Sequence, residues 1–500
     1  MPIRSAYNKF EDYKYLLTFT FILLVVGHLM LSNIVPNRTF NFVGFVIIFL
    51  VLLEQNILQR SAFGFVMVIY IASHFIYTPA YGGAFNVIAF ILVGIAFLTK
   101  KANLELEVKD PLITVLVFIL LASNVVGWIF QSPLRFDQVL LGVISFLGYI
   151  FMFQVSRRLL ITPERFRGLI YLFIFMSGYT LMTALNSALG FIGFHSPLIL
   201  RGDAYLGSSF YVGMIGRASG EIGLLTFLVL LPLLLTRETW GTFRINKNLV
   251  ILGILSAILL GMISFTKTVF ALLILGLLTQ FLLIYVGRAR AFDKKINFIS
   301  YGFTIIIFLL LVAPLVNLGF IFQRFAEYPN MFADLANDLL TAKGTSREQS
   351  FLLGYNRLLE KPWIFGYGWA AGQLNRFAWF DDPEKFDWKY DFHSLYYSLP
   401  PVFGWIGTIA FFLLILSTIY RLWKITVRSK YNPNYLTIPA FCFIFLWIFF
   451  LFNEYSMSVL TEPHYFMMNW IWLGLANSII QTYKLKFKNK PQEEIEAGSG

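Results

Sequence analysis

Four cations and one histidine are the residues of this chain best suited to chemistry. Arg201 in LRGD, Arg217 in GRASGEIG, Lys267 in SFTKTVF and Arg347 in TSREQSF each stand at or near the end of a long apolar run. A charge at such a place is costly in hydrocarbon, so by default it faces a cavity, a partner or a polar ligand. Phosphate suits several such cations together, because arginine grips it through its guanidinium fork and lysine holds it as a point charge. His393, in DFHSLYYSLPPVFGW, precedes another apolar run by a few residues, with Asp391 close in sequence to orient a ring nitrogen. An imidazole titrates near neutral pH, which makes His393 the best general base available.

Each of these residues also has a plainer reading. Asp203 can neutralise Arg201, and Glu221, one helical turn on, can neutralise Arg217. Lys267 has no carboxylate near it in sequence, and Glu348 beside Arg347 would not face it on a helix. His393 alone in a loop can be a solvated bystander. Around it lie many aromatic side chains, among them Trp363, Tyr367, Trp369, Trp379, Trp388, Tyr396 and Tyr397. They read either as an interfacial belt, to which Trp and Tyr are drawn, or as flat rings that stack on sugars. No second histidine or acid stands at metal-ligand spacing, and there is no paired-aspartate motif, so a metal-dependent transferase has little support. The sequence calls for no cofactor.

The elements that must position these residues are membrane helices. Hydrophobic residues make up 58% of the chain and charged residues 13%, and mean hydropathy is +0.70, far from a soluble domain's roughly one-quarter charged usage. Apolar runs of about 20 residues recur from end to end, each long enough to cross hydrocarbon as a helix and too long for strands of a membrane β-barrel. They predict an all-α polytopic membrane protein with about fourteen transmembrane helices, near 15–35, 40–58, 61–78, 84–100, 111–130, 138–156, 168–190, 220–236, 247–265, 268–287, 297–322, 401–421, 436–453 and 463–482. The net charge of +12 is not a nucleic-acid footprint. Cations fall in alternate loops, including Lys100 to Lys109, Arg157 to Arg167, Arg288 to Lys295, Arg421 to Lys430 and Lys484 to Lys490. That alternation is the positive-inside pattern, so both termini are expected in the cytoplasm.

The chain divides accordingly into helices 1–11 over 1–322, a loop over 323–400, helices 12–14 with a cytoplasmic tail over 401–490, and a tail over 491–500 whose closing EAGSG reads as a cloning remnant. The first apolar run lacks a cleavage site and is expected to be a retained span rather than a signal peptide. Cys442 is the single cysteine, inside an apolar run, and reads as packing. The 323–400 loop is expected to face the periplasm, with short amphipathic helices on the membrane surface. One is Arg347 to Leu359; Pro362 ends it, and Gly366 and Gly368 form the turn behind.

In order, RASGEIGLLTFLVLLPLLL, SFTKTVFALLILGLL, TSREQSFLLGYNRLLEKPWIFGYGW and HSLYYSLPPVFGWIGTIAFFLLIL resemble the O-antigen ligase and O-antigen polymerase superfamily. The resemblance spans the second, larger part of the chain; the first six spans carry no signature. It implies a glycosyltransferase in the bacterial inner membrane, taking a glycan from an undecaprenyl-diphosphate carrier on the periplasmic side and joining it to an acceptor hydroxyl without metal or nucleotide sugar. His393 then matches the catalytic histidine, Arg347 the loop-helix arginine and Arg217 the upstream arginine. Lys267 stands where the family usually has arginine, and Ser394 where asparagine is more usual. Arg201, Asp391 and Tyr396 are further candidates at the same site. A chain-length regulator is the protein partner such a polymerase implies.

Fourteen spans, against the ligases' usual twelve, favour a polymerase that extends lipid-linked repeat units over a ligase that moves the finished glycan to lipid A-core. A flippase for lipid-linked sugars would also need cations, aromatics and many helices. Transporters, however, usually show two related halves, and no such symmetry is visible here.

Overall fold

The computed structural model describes residues 61–75, 91, 104–107, 110–131, 136–191, 218–234, 242–264, 364–366, 368–369, 395–428, 434–453 and 463–488. Among these residues the chain is helical, without strands. Nine α-helices have described bounds: α1 Ala62–Phe75, α2 Pro111–Gln131, α3 Phe136–Ser156, α4 Pro163–Phe191, α5 Ala218–Leu234, α6 Lys247–Ser264, α7 Leu395–Arg428, α8 Thr437–Asn453 and α9 Pro463–Tyr483, followed by a π-helical turn, Lys484–Lys488. Each falls on an apolar run. The runs at 15–35, 40–58, 268–287 and 297–322 lie outside the described residues, as does that at 84–100 except for position 91. One described helix, Val402–Arg428, is long and apolar enough to cross a membrane.

Short polar side chains start the helices. Ser61 Oγ accepts from Gly64 N at 2.9 Å, Thr162 Oγ1 from Arg165 N at 3.3 Å and Asn434 Oδ1 from Leu436 N at 3.0 Å. Pro111, Pro163 and Pro463 each open a helix, where the missing N–H would have had no helical acceptor anyway. Asp110 caps α2 through its carbonyl and carboxylate.

Helix α9 is the hub, packed against α1, α3, α7 and α8. From Phe466 to Thr482 every residue is buried, on all sides of the helix. Its polar residues tie the bundle together: Asn477 Nδ2 donates to Thr418 Oγ1 of α7 at 3.1 Å, Ser478 Oγ donates to Leu159 O, and Thr482 Oγ1 accepts from Ile161 N at 3.2 Å. On the outside, α2 and α7 pack together and turn apolar faces outward. Leu112, Val115 and Phe118 are exposed on α2, and Trp405, Ile406, Ile409, Leu413, Leu416 and Tyr420 on α7. Spaced three or four apart on α7, these form one helical stripe. An apolar stripe turned outward from an apolar core is what a helix bundle shows in lipid.

The two ends of the bundle differ. At one end Asp110 pairs with Arg421 of α7, with Lys484 Nζ 3.6 Å from the same carboxylate, and Glu105 pairs with Arg165 of α4. Tyr435 donates to Ile161 O at 2.8 Å and accepts from Lys486 Nζ at 3.1 Å. Burial of Asp110 by itself would raise its pKa; the Arg421 hydrogen bond and the charges of Arg421 and Lys484 outweigh it and hold the carboxyl below its ordinary value. Tyr435 is pushed up to about 12, by burial first and then by Glu164. The cations among them, Arg165, Arg421, Lys484 and Lys486, stand in loops or helix ends that the charge pattern of the sequence leads one to expect on one side of a membrane, and they meet at one end.

Candidate functional site

The other end holds the segment that the sequence marks as a turn. Gly366 and the Gly368–Trp369 pair are packed between α2 and the start of α7. Two hydrogen bonds hold the turn, and a third joins α2 to α7 beside it. Gly368 N donates to Val402 O at 2.9 Å, Trp369 N donates to Asn124 Oδ1 at 2.6 Å, and Ser123 Oγ donates to Phe403 O.

The sequence makes room for that contact with glycine on both helices. A side chain at Gly127 would run into Gly366 O, and one at Gly404 into Ile364 O and Phe365 Cα. Gly404 also has φ 68°, ψ 173°, which breaks α7 into a first segment, 395–403, and a long second one. Only glycine adopts that conformation without strain. With the helix interrupted there, the carbonyls of Val402 and Phe403 are free to accept from Gly368 and Ser123.

Trp369 closes the site from below. Its ring is fully buried, stacked on Phe466 of α9 with centroids 4.3 Å apart, edge-on to Tyr149 of α3 at 5.5 Å, and near Phe403 and Phe146. Of the two readings of the loop aromatics, Trp369 follows neither. It lies in the core, where it reaches neither the lipid headgroups nor a glycan.

Of the candidate residues, Tyr396 is described. It is exposed; its hydroxyl donates to Leu451 O at the end of α8 at 2.8 Å, and its ring lies flat on Phe412, 5.2 Å away. That geometry clamps the start of α7 to α8. His393, Asp391, Arg201, Arg217, Lys267 and Arg347 lie outside the described residues. Their places along the chain are nonetheless set by helix ends: Arg217 immediately precedes α5, Lys267 follows the end of α6 by three residues, and His393 precedes α7 by two. Leu395, the first residue of α7, is fully buried. From there to the Val402 carbonyl that holds the turn is about 10 Å along the helix, at 1.5 Å per residue. The glycine turn and the first turns of α7 thus belong to one corner of the bundle.

Ser123, Asn124 and Gly127 were not singled out from sequence, because α2 carries none of the motifs. Their signal was present: two adjacent polar residues inside an apolar helix, with a glycine about one turn on, mark a face where another backbone comes close. No protein-family model matches the chain, and no characterised protein matches it in sequence.

Proposed function

We propose that the protein is an O-antigen-type polymerase of the bacterial inner membrane, joining undecaprenyl-diphosphate-linked repeat units on the periplasmic face. In this reading fourteen helices cross the membrane, the 323–400 segment faces the periplasm, and the corner where the Gly366–Trp369 turn meets α7 is the floor of the active site. The observation that supports it is that docking. Two short motifs of the resemblance, the glycine turn and the histidine segment, lie about thirty residues apart in sequence, and the hydrogen bond from Gly368 N to Val402 O, with the close approach of Ile364 and Phe365 to Gly404, brings the first against the helix that begins just after the second.

The chemistry is direct displacement. An acceptor hydroxyl attacks the anomeric carbon, His393 takes the hydroxyl proton, the carbon–oxygen bond to the diphosphate breaks, and the lipid diphosphate leaves with the electron pair. Lys267, Arg347 and Arg217 neutralise the charge that develops on the diphosphate, the work that fixed cations do best in a water-poor site. One displacement inverts the anomeric centre. Asp391 would orient the imidazole, and Arg201 would add a further cation at the rim.

The test is reconstitution of purified protein with an undecaprenyl-diphosphate-linked repeat unit, with products separated on a gel. A ladder of longer lipid-linked glycans, absent with His393→Ala, is the expected result. Transfer only after lipid A-core is added would make the protein a ligase. Movement of labelled lipid across a liposome bilayer without any transfer would make it a transporter.

A further inference from the structure

At the basic end of the bundle one buried cation forms no salt bridge among the described residues. Arg157, just past the end of α3, is 3% exposed, yet its Nε and Nη1 have no hydrogen-bond acceptor. Its guanidinium lies over the Phe153 ring, 5.3 Å from the centroid, a contact that leaves the N–H groups unsatisfied. Ser156 Oγ, beside it, is also buried without a partner. The carboxylate whose charge acts on Arg157 is Asp110, and Asp110 already holds Arg421 and Lys484. Three cations thus share one carboxylate. Burial first, and then the charge of Arg158, lowers the Arg157 pKa to about 10, with Asp110 opposing them. It remains charged at neutral pH. A buried charge with two open donors is expensive unless a ligand completes it.

We infer that Arg157, together with Lys484 and Arg421, forms a binding site for a phosphate group at the end of the bundle opposite the glycine turn. A tetrahedral anion with several acceptor oxygens suits the open edge of a guanidinium and offsets the surplus of positive charge. The inference rests on the membrane reading for the source of that phosphate. If α3 crosses the bilayer, Arg157 lies at headgroup level on the cytoplasmic side, where basic pockets between helices take the headgroups of anionic lipids. A soluble phosphate would satisfy the same groups, and the experiment separates the two.

The protein is reconstituted in nanodiscs of phosphatidylcholine alone or with added phosphatidylglycerol, and thermal unfolding is followed; in parallel, detergent-solubilised protein is titrated with inorganic phosphate. Phosphatidylglycerol should raise the midpoint and Arg157→Gln should abolish the rise, whereas transfer at the opposite end should be unchanged. A shift with inorganic phosphate of equal size would identify the source as soluble phosphate. If Arg157→Gln does not fold, Lys484→Gln, with its side chain 39% exposed, replaces it and should weaken the apparent affinity about tenfold. No shift with either anion, or a shift kept in full by the variant, overturns the site. Failure to enter nanodiscs at all would instead overturn the membrane reading.

Discussion

A general base is useful only where the hydroxyl it must deprotonate is held, so in the proposed transfer the consequence of losing His393 depends on what the remaining residues still hold. His393→Ala is expected to leave a folded, membrane-inserted protein whose glycan transfer falls about 10² to 10⁴-fold, the usual contribution of a positioned base. Transfer at the wild-type rate would remove it from that role. Lys267 tests the other half of the reaction. Arginine there keeps the charge and adds a fork, so Lys267→Arg should retain transfer, while Lys267→Ala should lose roughly 10² to 10³-fold, as when one fixed donor is taken from a developing anion. An active alanine variant would show that the donor diphosphate lies elsewhere. Asn124 differs from both because it touches backbone: Asn124→Ala leaves the buried Trp369 N–H without its acceptor, at a cost of about 1–3 kcal/mol. That cost should appear in unfolding as well as in transfer, which separates it from the loss at His393.

At the scale of elements, the glycines on α2 and α7 decide whether the loop can dock. Gly127→Val puts a branched side chain where Gly366 O now sits, so the turn must lift away while the apolar contacts of α2 with α7 remain. Transfer is expected to fall about a hundredfold, as for a misplaced catalytic group, with helix content by circular dichroism unchanged. Loss of helix together with activity would mean that the contact holds the bundle rather than the site. The opposite end has its own switch in Asp110. Its folded pKa lies below the ordinary carboxylate value, so its stabilising contribution is complete above about pH 4 and is lost as pH falls through that depressed value. Asp110→Asn should remove about 1.5–3 kcal/mol at neutral pH and flatten the acid limb of stability against pH. An unchanged acid limb would assign the protection to other carboxylates. The helices themselves were readable in sequence from their apolar runs; the caps at Ser61, Thr162 and Asn434 also act locally, but were not singled out from sequence. The reading placed the start of α7 at 401; the helix begins at Leu395, because its first segment ends at Gly404 and is held from outside, by Tyr396 on Leu451 and by Gly368 on Val402. Contacts between residues some 30 to 250 positions apart leave no local periodicity, which is also why Asn124 and Gly127 were missed.

At the scale of the whole molecule, the two ends imply an orientation. Asp110, Arg157, Arg165, Arg421 and Lys484 belong to loops or helix ends that the charge pattern places in the cytoplasm, and they gather at one end; Gly366, Trp369 and Leu395 gather with Asn124 and Phe466 at the other. If the bundle crosses a bilayer with the orientation that the charge pattern predicts, the glycine turn opens to the periplasm, where the proposed joining of repeat units would take place. The chain offers a clean way to test this, because its one cysteine, Cys442, is buried and its thiol faces Val229 O. Membrane-impermeant thiol reagents should pass it by, so single cysteines can be added to the natural sequence. Ser346→Cys should react in spheroplasts without permeabilisation, whereas Lys430→Cys should react only in inverted vesicles or after the membrane is opened. Labelling of both from one side would contradict the alternation of charged loops, and with it the proposed periplasmic active site, since Arg347 and His393 would then not both belong to a loop on the side where polymerisation is proposed.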